Sequence, residues 1–201
     1  MTFRLKHTAN SMLPTSAGRF LARLAKEIFL AYPEEIESPL KVPEELDVKA
    51  GLFVAVVEIL EQGQRKTLSC TGYPFPEVSI VQAVVDAAVS SVIRAKVFHQ
   101  SELASPHGKA VRVIVVTEPQ RVYMERRVDY PKAIVAERDG VMVRRGFNMA
   151  VLLPQVALER GLDGLDLLSE CCAKAGLPPD AWLLRGTEIS IFKTRVFEEE
   201  I

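Results

Sequence analysis

Ala150-Val151-Leu152-Leu153-Pro154-Gln155-Val156-Ala157-Leu158-Glu159, followed by a second run that closes on Ala175-Gly176-Leu177-Pro178-Pro179-Asp180-Ala181-Trp182, orders the reading of the whole chain. Met149 to Leu153 is apolar and predicts a strand. Pro154 then suits the first position of a helix, where its missing N–H would have no partner, and Gln155 to Glu159 continues as a short helix. Asp163 can cap a second helix over Leu165 to Ala175, with Asp166 three residues on as an acidic variant of the capping box. Gly176 offers the left-handed stop. The chain's single tryptophan, Trp182, follows as an anchor.

Upstream, Ala133 to Glu137 and Val141 to Arg145 flank Arg138-Asp139-Gly140, and Asp-Gly between apolar runs predicts a tight hairpin. Val122 to Val128 reads as a strand. Ala110 to Thr117 is a β-branched strand stopped by Glu118-Pro119. Val78 to Val97, rich in Val, Ala and Ile, predicts a helix packed closely on a sheet. Leu52 to Leu60 and Lys66 to Cys70, joined at Gln62-Gly63-Gln64, predict an antiparallel hairpin whose first strand is apolar enough to be buried on both faces. Gly72-Tyr73-Pro74-Phe75-Pro76 reads as a loop. Thr15 to Tyr32 carries a helical apolar stripe, and Pro33 to Glu45 reads as a solvated connector. Glu188 to Val196 supplies a last strand. Hairpin-joined strands with helices before, between and after them predict an α+β (mixed α/β) fold: mostly antiparallel sheet flanked by helices, with room for a smaller lobe, in a single domain over residues 1–201.

Composition narrows the function classes. Over 201 residues, 25 basic side chains meet 26 acidic ones, which disfavours a globally basic nucleic-acid binder and leaves only local patches. No apolar run approaches the ~20 residues that span a bilayer, so no membrane partner is expected. Met1 to Asn10 has no signal-like apolar block, and three cysteines are an odd number. Both point to a cytoplasmic protein with reduced thiols. No phosphate-cradling glycine loop is present, and no cofactor is read from the chain.

Cys70 is the foremost chemical candidate, a strand-end thiol facing a loop held by Gly72, Pro74 and Pro76. Nucleophilic use requires a thiolate, hence a nearby cation or helix N-terminus, and the helix starting near Pro76 is a candidate source. The competing reading is a small buried cysteine. His99, with Glu102 and His107, can complete a Cys-His-acid set once folded, although lone surface histidines are common. Gly72, Tyr73 and Gln155 are candidate ligand contacts, Gln155 because it lies at a helix start. Arg126, Arg127, Arg144 and Arg145, with Tyr123, Tyr130 and Phe147 nearby, can form a basic stacking surface for RNA. Neighbouring acids favour instead a solvated face. Cys171 and Cys172 point about 100° apart on a helix and cannot share an ordinary metal site, so no metal centre is expected.

Several landmarks together resemble the AMMECR domain family. They are Leu13-Pro14-Thr15 ahead of the Leu24-Ala25 helix, Gly51-Leu52-Phe53-Val54, Val113 to Pro119, Asp139-Gly140-Val141, Leu152-Leu153-Pro154-Gln155-Val156-Ala157, and Cys172 to Leu177 followed by Trp182. The family signature Leu-Arg-Gly-Cys-Ile-Gly falls on Thr67-Leu68-Ser69-Cys70-Thr71-Gly72, so Cys70 and Gly72 match while the arginine and first glycine do not. The family's Asp-Pro-Arg-Phe element is also missing, with only Phe98 near its place. The resemblance implies a role in modifying a macromolecule, RNA or protein, as an enzyme or substrate-binding factor beside MEMO-type or radical-SAM proteins. The alternative is a non-catalytic protein- or RNA-binding module.

Overall fold

A computed structural model describes residues 13–32, 42–75, 77–104 and 107–201. The elements in chain order are α1 (Thr15–Ala31), β1 (Gly51–Ile59), β2 (Arg65–Tyr73), α2 (Ile80–Phe98), α3 (Gln100–Leu103), β3 (Gly108–Val116), β4 (Gln120–Arg121), β5 (Gly140–Arg145), β6 (Asn148–Leu152), α4 (Pro154–Arg160), α5 (Gly164–Lys174), β7 (Glu188–Phe192) and β8 (Thr194–Glu200). Two four-stranded sheets, ordered β2-β1-β3-β8 and β4-β7-β5-β6, make the fold mixed α+β. Two compact units emerge: residues 1–116 with 195–201, and residues 117–194. Pro33 to Lys41 of the expected connector, and Met1 to Asn10, lie outside the described residues.

In the first unit β1 pairs antiparallel with both β2 and β3 and is buried on both faces, as the apolar run from Leu52 to Val57 requires. The bonds from Thr117 N–H to Lys193 O and from Ile201 N–H to Lys109 O run β8 antiparallel along β3. One face carries the helices. Leu52, Val54, Val111 and Val113 pack there with Leu21, Ala25 and Ile28 of α1, Ile80, Val84 and Ala87 of α2, and Phe197 of β8. Two buried hydroxyls pin α2 to the sheet. Ser69 Oγ donates to Ser91 O at 2.8 Å, and Ser91 Oγ donates to Val54 O at 2.7 Å.

The second unit has its own core of Val141, Val143, Ala150 and Ile189 from the sheet against Leu167, Leu168, Cys171 and Cys172 of α5 and Trp182. Asp163 accepts from Leu165 N–H and Asp166 N–H, and Asp166 returns a bond to Asp163 N–H, which completes the capping box. At the other end Leu177 N–H reaches Cys172 O and Gly176 N–H reaches Ala173 O, a Schellman closure around Gly176 at φ 74°.

Four local expectations are corrected. β2 runs on through Gly72 to Tyr73, because Phe53 faces Gly72 so closely that a Cβ there would overlap the Leu52 carbonyl. Only Pro74 ends the ladder. Val122 to Val128 is not a strand: the ladder with β7 covers Gln120 and Arg121, Val122 N–H adds one bond to Ile189 O, and a 3-10 turn covers Arg127–Ala133. Residues 133–137 form no strand either. Asp139 folds back to accept Val135 N–H at 3.0 Å, and Gly140 opens β5, its bare Cα under the Phe192 ring. The last strand is two, β7 and β8, which part at Lys193 into different sheets.

Candidate functional site

β2 is an edge strand, and a bulge marks its middle. Val56 faces Ser69 and Val57 faces Thr67, which leaves Leu68 as the extra residue. The bulge sends both Leu68 and Ser69 to the helix side, where Leu68 is buried with Val56 and Ala95. Leu68 stands where the family signature has arginine, and here that position is committed to packing. Beside this edge, α2 presents Arg94 and Phe98 at i, i+4, followed by His99. Thr67, Leu68, Ser69, Cys70, Arg94, Phe98 and His99 line one hollow of about 330 Å³. The structure therefore brings Cys70 and His99 to the same place from 29 positions apart in the chain.

Cys70 is exposed. Its register partner is Ala55, whose partner on the other side is Arg112, so the three share one face by strand alternation. Ser69 turns the opposite way, toward α2. The Cys70 side chain thus emerges on the face away from the helices, and Cys70 borders the hollow because β2 is the edge. Arg112 and Arg65 both bond Glu198 of β8, Arg65 through Nη2 at 2.8 Å. Burial pushes the Glu198 carboxyl up, but the Arg65 and Arg112 bonds outweigh it and hold it below its ordinary value. Glu200 also acts on Arg65, so two carboxylates answer the two guanidiniums; Arg112 shares the register row of Cys70, and a neighbouring cation is what favours a thiolate.

The expected helix dipole does not serve that purpose. Pro76 lies outside the described residues, and α2 starts at Ile80 with Ser79 as its cap. The hollow adjoins the C-terminal end of α2, whose partial negative charge opposes an anion. Among the described residues Arg94 has no carboxylate partner.

His99 Nδ1 lies 3.4 Å from Glu102 Oε1. The Ser101 hydroxyl, the backbone and His99 hold the Glu102 carboxyl down at about 2, so it is charged at neutral pH and only accepts. Nδ1 is then the donor, and the lone pair of the neutral ring resides on Nε2. Lys66 also reaches Glu102, at 3.4 Å, and stands 4.0 Å from the buried Glu58. His107 is exposed and offers its carbonyl to Lys109 Nζ at 2.5 Å.

The remaining candidates lie elsewhere. Tyr73 ends β2 partly exposed. Gln155, at the start of α4, donates to Thr194 Oγ1 at 3.0 Å, while its Oε1 is buried without a partner. Arg126 is paired with Asp129 at 2.8 Å. Arg127 donates to the carbonyls of Trp182 and Thr187, and Arg145 to Arg185 O and Thr187 Oγ1. Arg144 is exposed on β5. Cys171 and Cys172 are both fully buried, and Cys171 donates to Ala150 O at 3.3 Å. Burial pushes the Cys171 thiol up to about 12 and raises Cys172 as well. Among the described residues no group of His, Cys, Asp and Glu could hold a metal ion, and no helix is long and apolar enough to cross a membrane. Arg94 and Phe98 escaped the sequence reading. Their i, i+4 spacing on α2 was visible, but only the edge position of β2 gives it meaning.

The AMMECR1 family model matches residues 21–197. The chain belongs to the AMMECR1 family. It is 38% identical over 186 residues to Protein PF1979 of Pyrococcus furiosus, a match that covers 91% of this chain and 88% of that protein. Protein MK0488 of Methanopyrus kandleri is 36% identical over 194 residues, with 94% and 91% covered. The crystal structure of Uncharacterized Protein PH0010 from Pyrococcus horikoshii superposes with a TM-score of 0.75 at 34% identity, covering 92% of each chain. This AMMECR1-family chain therefore shares its architecture with that Pyrococcus horikoshii protein along nearly its full length.

Proposed function

We propose that this AMMECR1-family protein is an enzyme or substrate-binding factor in macromolecule modification that engages its substrate at the outer edge of β2, with Cys70 as the attacking or contacting thiol. The observation that supports this reading is the hollow itself. Cys70, exposed on an edge strand, borders a concavity of about 330 Å³ whose wall carries Arg94, Phe98 and His99. Arg94 suits an anionic group of the substrate, Phe98 an apolar or planar one, and His99 a hydrogen-bonding group. Arg112, on the same sheet face as Cys70, favours the thiolate.

Alkylation by iodoacetamide tests the reading directly, because Cys171 and Cys172 are buried with raised thiol pKa values and Cys70 alone should react in the folded protein. The rate is expected to rise with pH through a midpoint below the ordinary thiol value of ~8.5. Arg112→Gln should move that midpoint upward. An inert Cys70, or a midpoint at or above ~8.5, overturns the reading.

A further inference from the structure

We propose that the tip of the β5–β6 hairpin binds single-stranded nucleic acid, with Phe147 as the stacking surface and Arg144, Arg145 and Arg185 as phosphate contacts. This site lies wholly within residues 117–194 and does not depend on the thiol reading.

The first observation is Phe147 itself. It occupies the two-residue turn between Arg145 and Asn148, and its relative exposure is 107%, so the ring stands clear of the protein. A large apolar ring placed wholly in water contributes nothing to folding. Met149, Leu183 and Leu184 are exposed as well.

The second observation is that the tip is held from both sides. Asn148 Nδ2 donates to Ala175 O at 2.8 Å, at the end of α5. Arg145 Nη1 donates to Arg185 O at 2.7 Å and to Thr187 Oγ1 at 3.2 Å. The turn that carries the ring is therefore held on a fixed scaffold.

The third observation is how charge is sorted within this unit. Asp129 takes Arg126 and Lys132, Asp139 takes Arg138 and Lys193, Glu170 takes Arg160, and Glu188 takes Arg121. Arg144, Arg145 and Arg185 have no carboxylate partner among the described residues. Arg144 and Arg145 adjoin the turn, and Arg185 is tied to it by the Arg145 bond. Even Glu188, directly across from Arg144, is held by Arg121 at 2.9 Å. Three arginines left over by ion pairing thus lie on or beside the turn that carries the most exposed ring among the described residues.

An exposed π-face on a turn flanked by arginines complements an unpaired base and its flanking phosphates. In a duplex the base faces are already stacked on one another, so a single strand is the fitting occupant. An acidic peptide would answer the charges but leave the ring unused.

Fluorescence anisotropy of the full chain with a labelled 12-nucleotide oligouridylate is the test. Binding is expected at low salt, with a logarithmic salt slope of about −2 for three phosphate contacts to a single strand. Phe147→Ala should weaken binding roughly 5- to 100-fold, while Phe147→Trp retains it. The double variant Arg144→Glu, Arg185→Glu should weaken it further and flatten the slope. All of these positions are exposed, and unchanged thermal melting checks that the fold is intact. Three results would overturn the proposal: no binding at low salt, equal binding by wild type and Phe147→Ala, or equally tight binding of a polyglutamate peptide or a 12-base-pair RNA duplex.

Discussion

Asp139 shows how one buried carboxylate can organise a segment that its sequence neighbours misrepresent. Fully buried, it accepts from Val135 N–H and pairs with Arg138 and with Lys193. Burial pushes its carboxyl up, but these partners outweigh that and bring it to about 2. A depressed carboxyl contributes stability that is complete above its unfolded value of ~3.9 and is lost as pH falls toward the folded one. Asp139→Asn should therefore lower the urea midpoint at pH 7 by the equivalent of roughly 3 kcal/mol, and the gap from wild type should close between about pH 4 and pH 2. Asp-Gly read as a hairpin turn because the pair is usually exposed, and nothing local announces that this aspartate is buried. Gly72 was misread for a related reason. Its role is the close approach of the Leu52 carbonyl, a tertiary fact. Gly72→Ala should force β1 and β2 apart and cost roughly 1–3 kcal/mol, measurable by denaturant titration.

At the scale of elements, what was legible is what local chemistry decides. The α5 cap is written in Asp163 and Asp166 and its stop in Gly176, so the helix was readable without knowing its partners. Asp163→Ala should lower helix and protein stability by about 1 kcal/mol, a loss of a few degrees in a thermal melt. The strand expected over Val122 to Val128 failed because its fate is set from a distance. Arg127 is drawn to the carbonyls of Trp182 and Thr187, 55 and 60 residues away, and the chain bends into a 3-10 turn to deliver it. Arg127→Leu should leave those carbonyls without their donor and cost roughly 2 kcal/mol, seen as a lowered urea midpoint. The hollow was half legible for the same reason. Cys70 and His99 stand out by type, whereas Arg94 and Phe98 join the hollow only where α2 lies beside the edge of β2.

At the scale of the molecule, a single stretch near the C-terminus serves two sheets, since β7 belongs to one and β8 to the other. Thr117 and Lys193 meet at that junction, Thr117 N–H on Lys193 O and Lys193 N–H on Thr117 Oγ1. Residues 117–194 accordingly leave and return at one point around a core of their own. The excised segment should unfold in a single cooperative thermal transition, and a featureless melt would refute its independence. The thiol account likewise rests on contrast within the whole chain, since one cysteine lies on an edge strand and two lie inside a core. Limited iodoacetamide labelling of the native protein at pH 7, followed by peptide mapping of all three cysteines, tests it most directly. The account predicts label on Cys70, with Cys171 and Cys172 modified only after denaturation. Label that reaches Cys70 no sooner than the buried pair would contradict it.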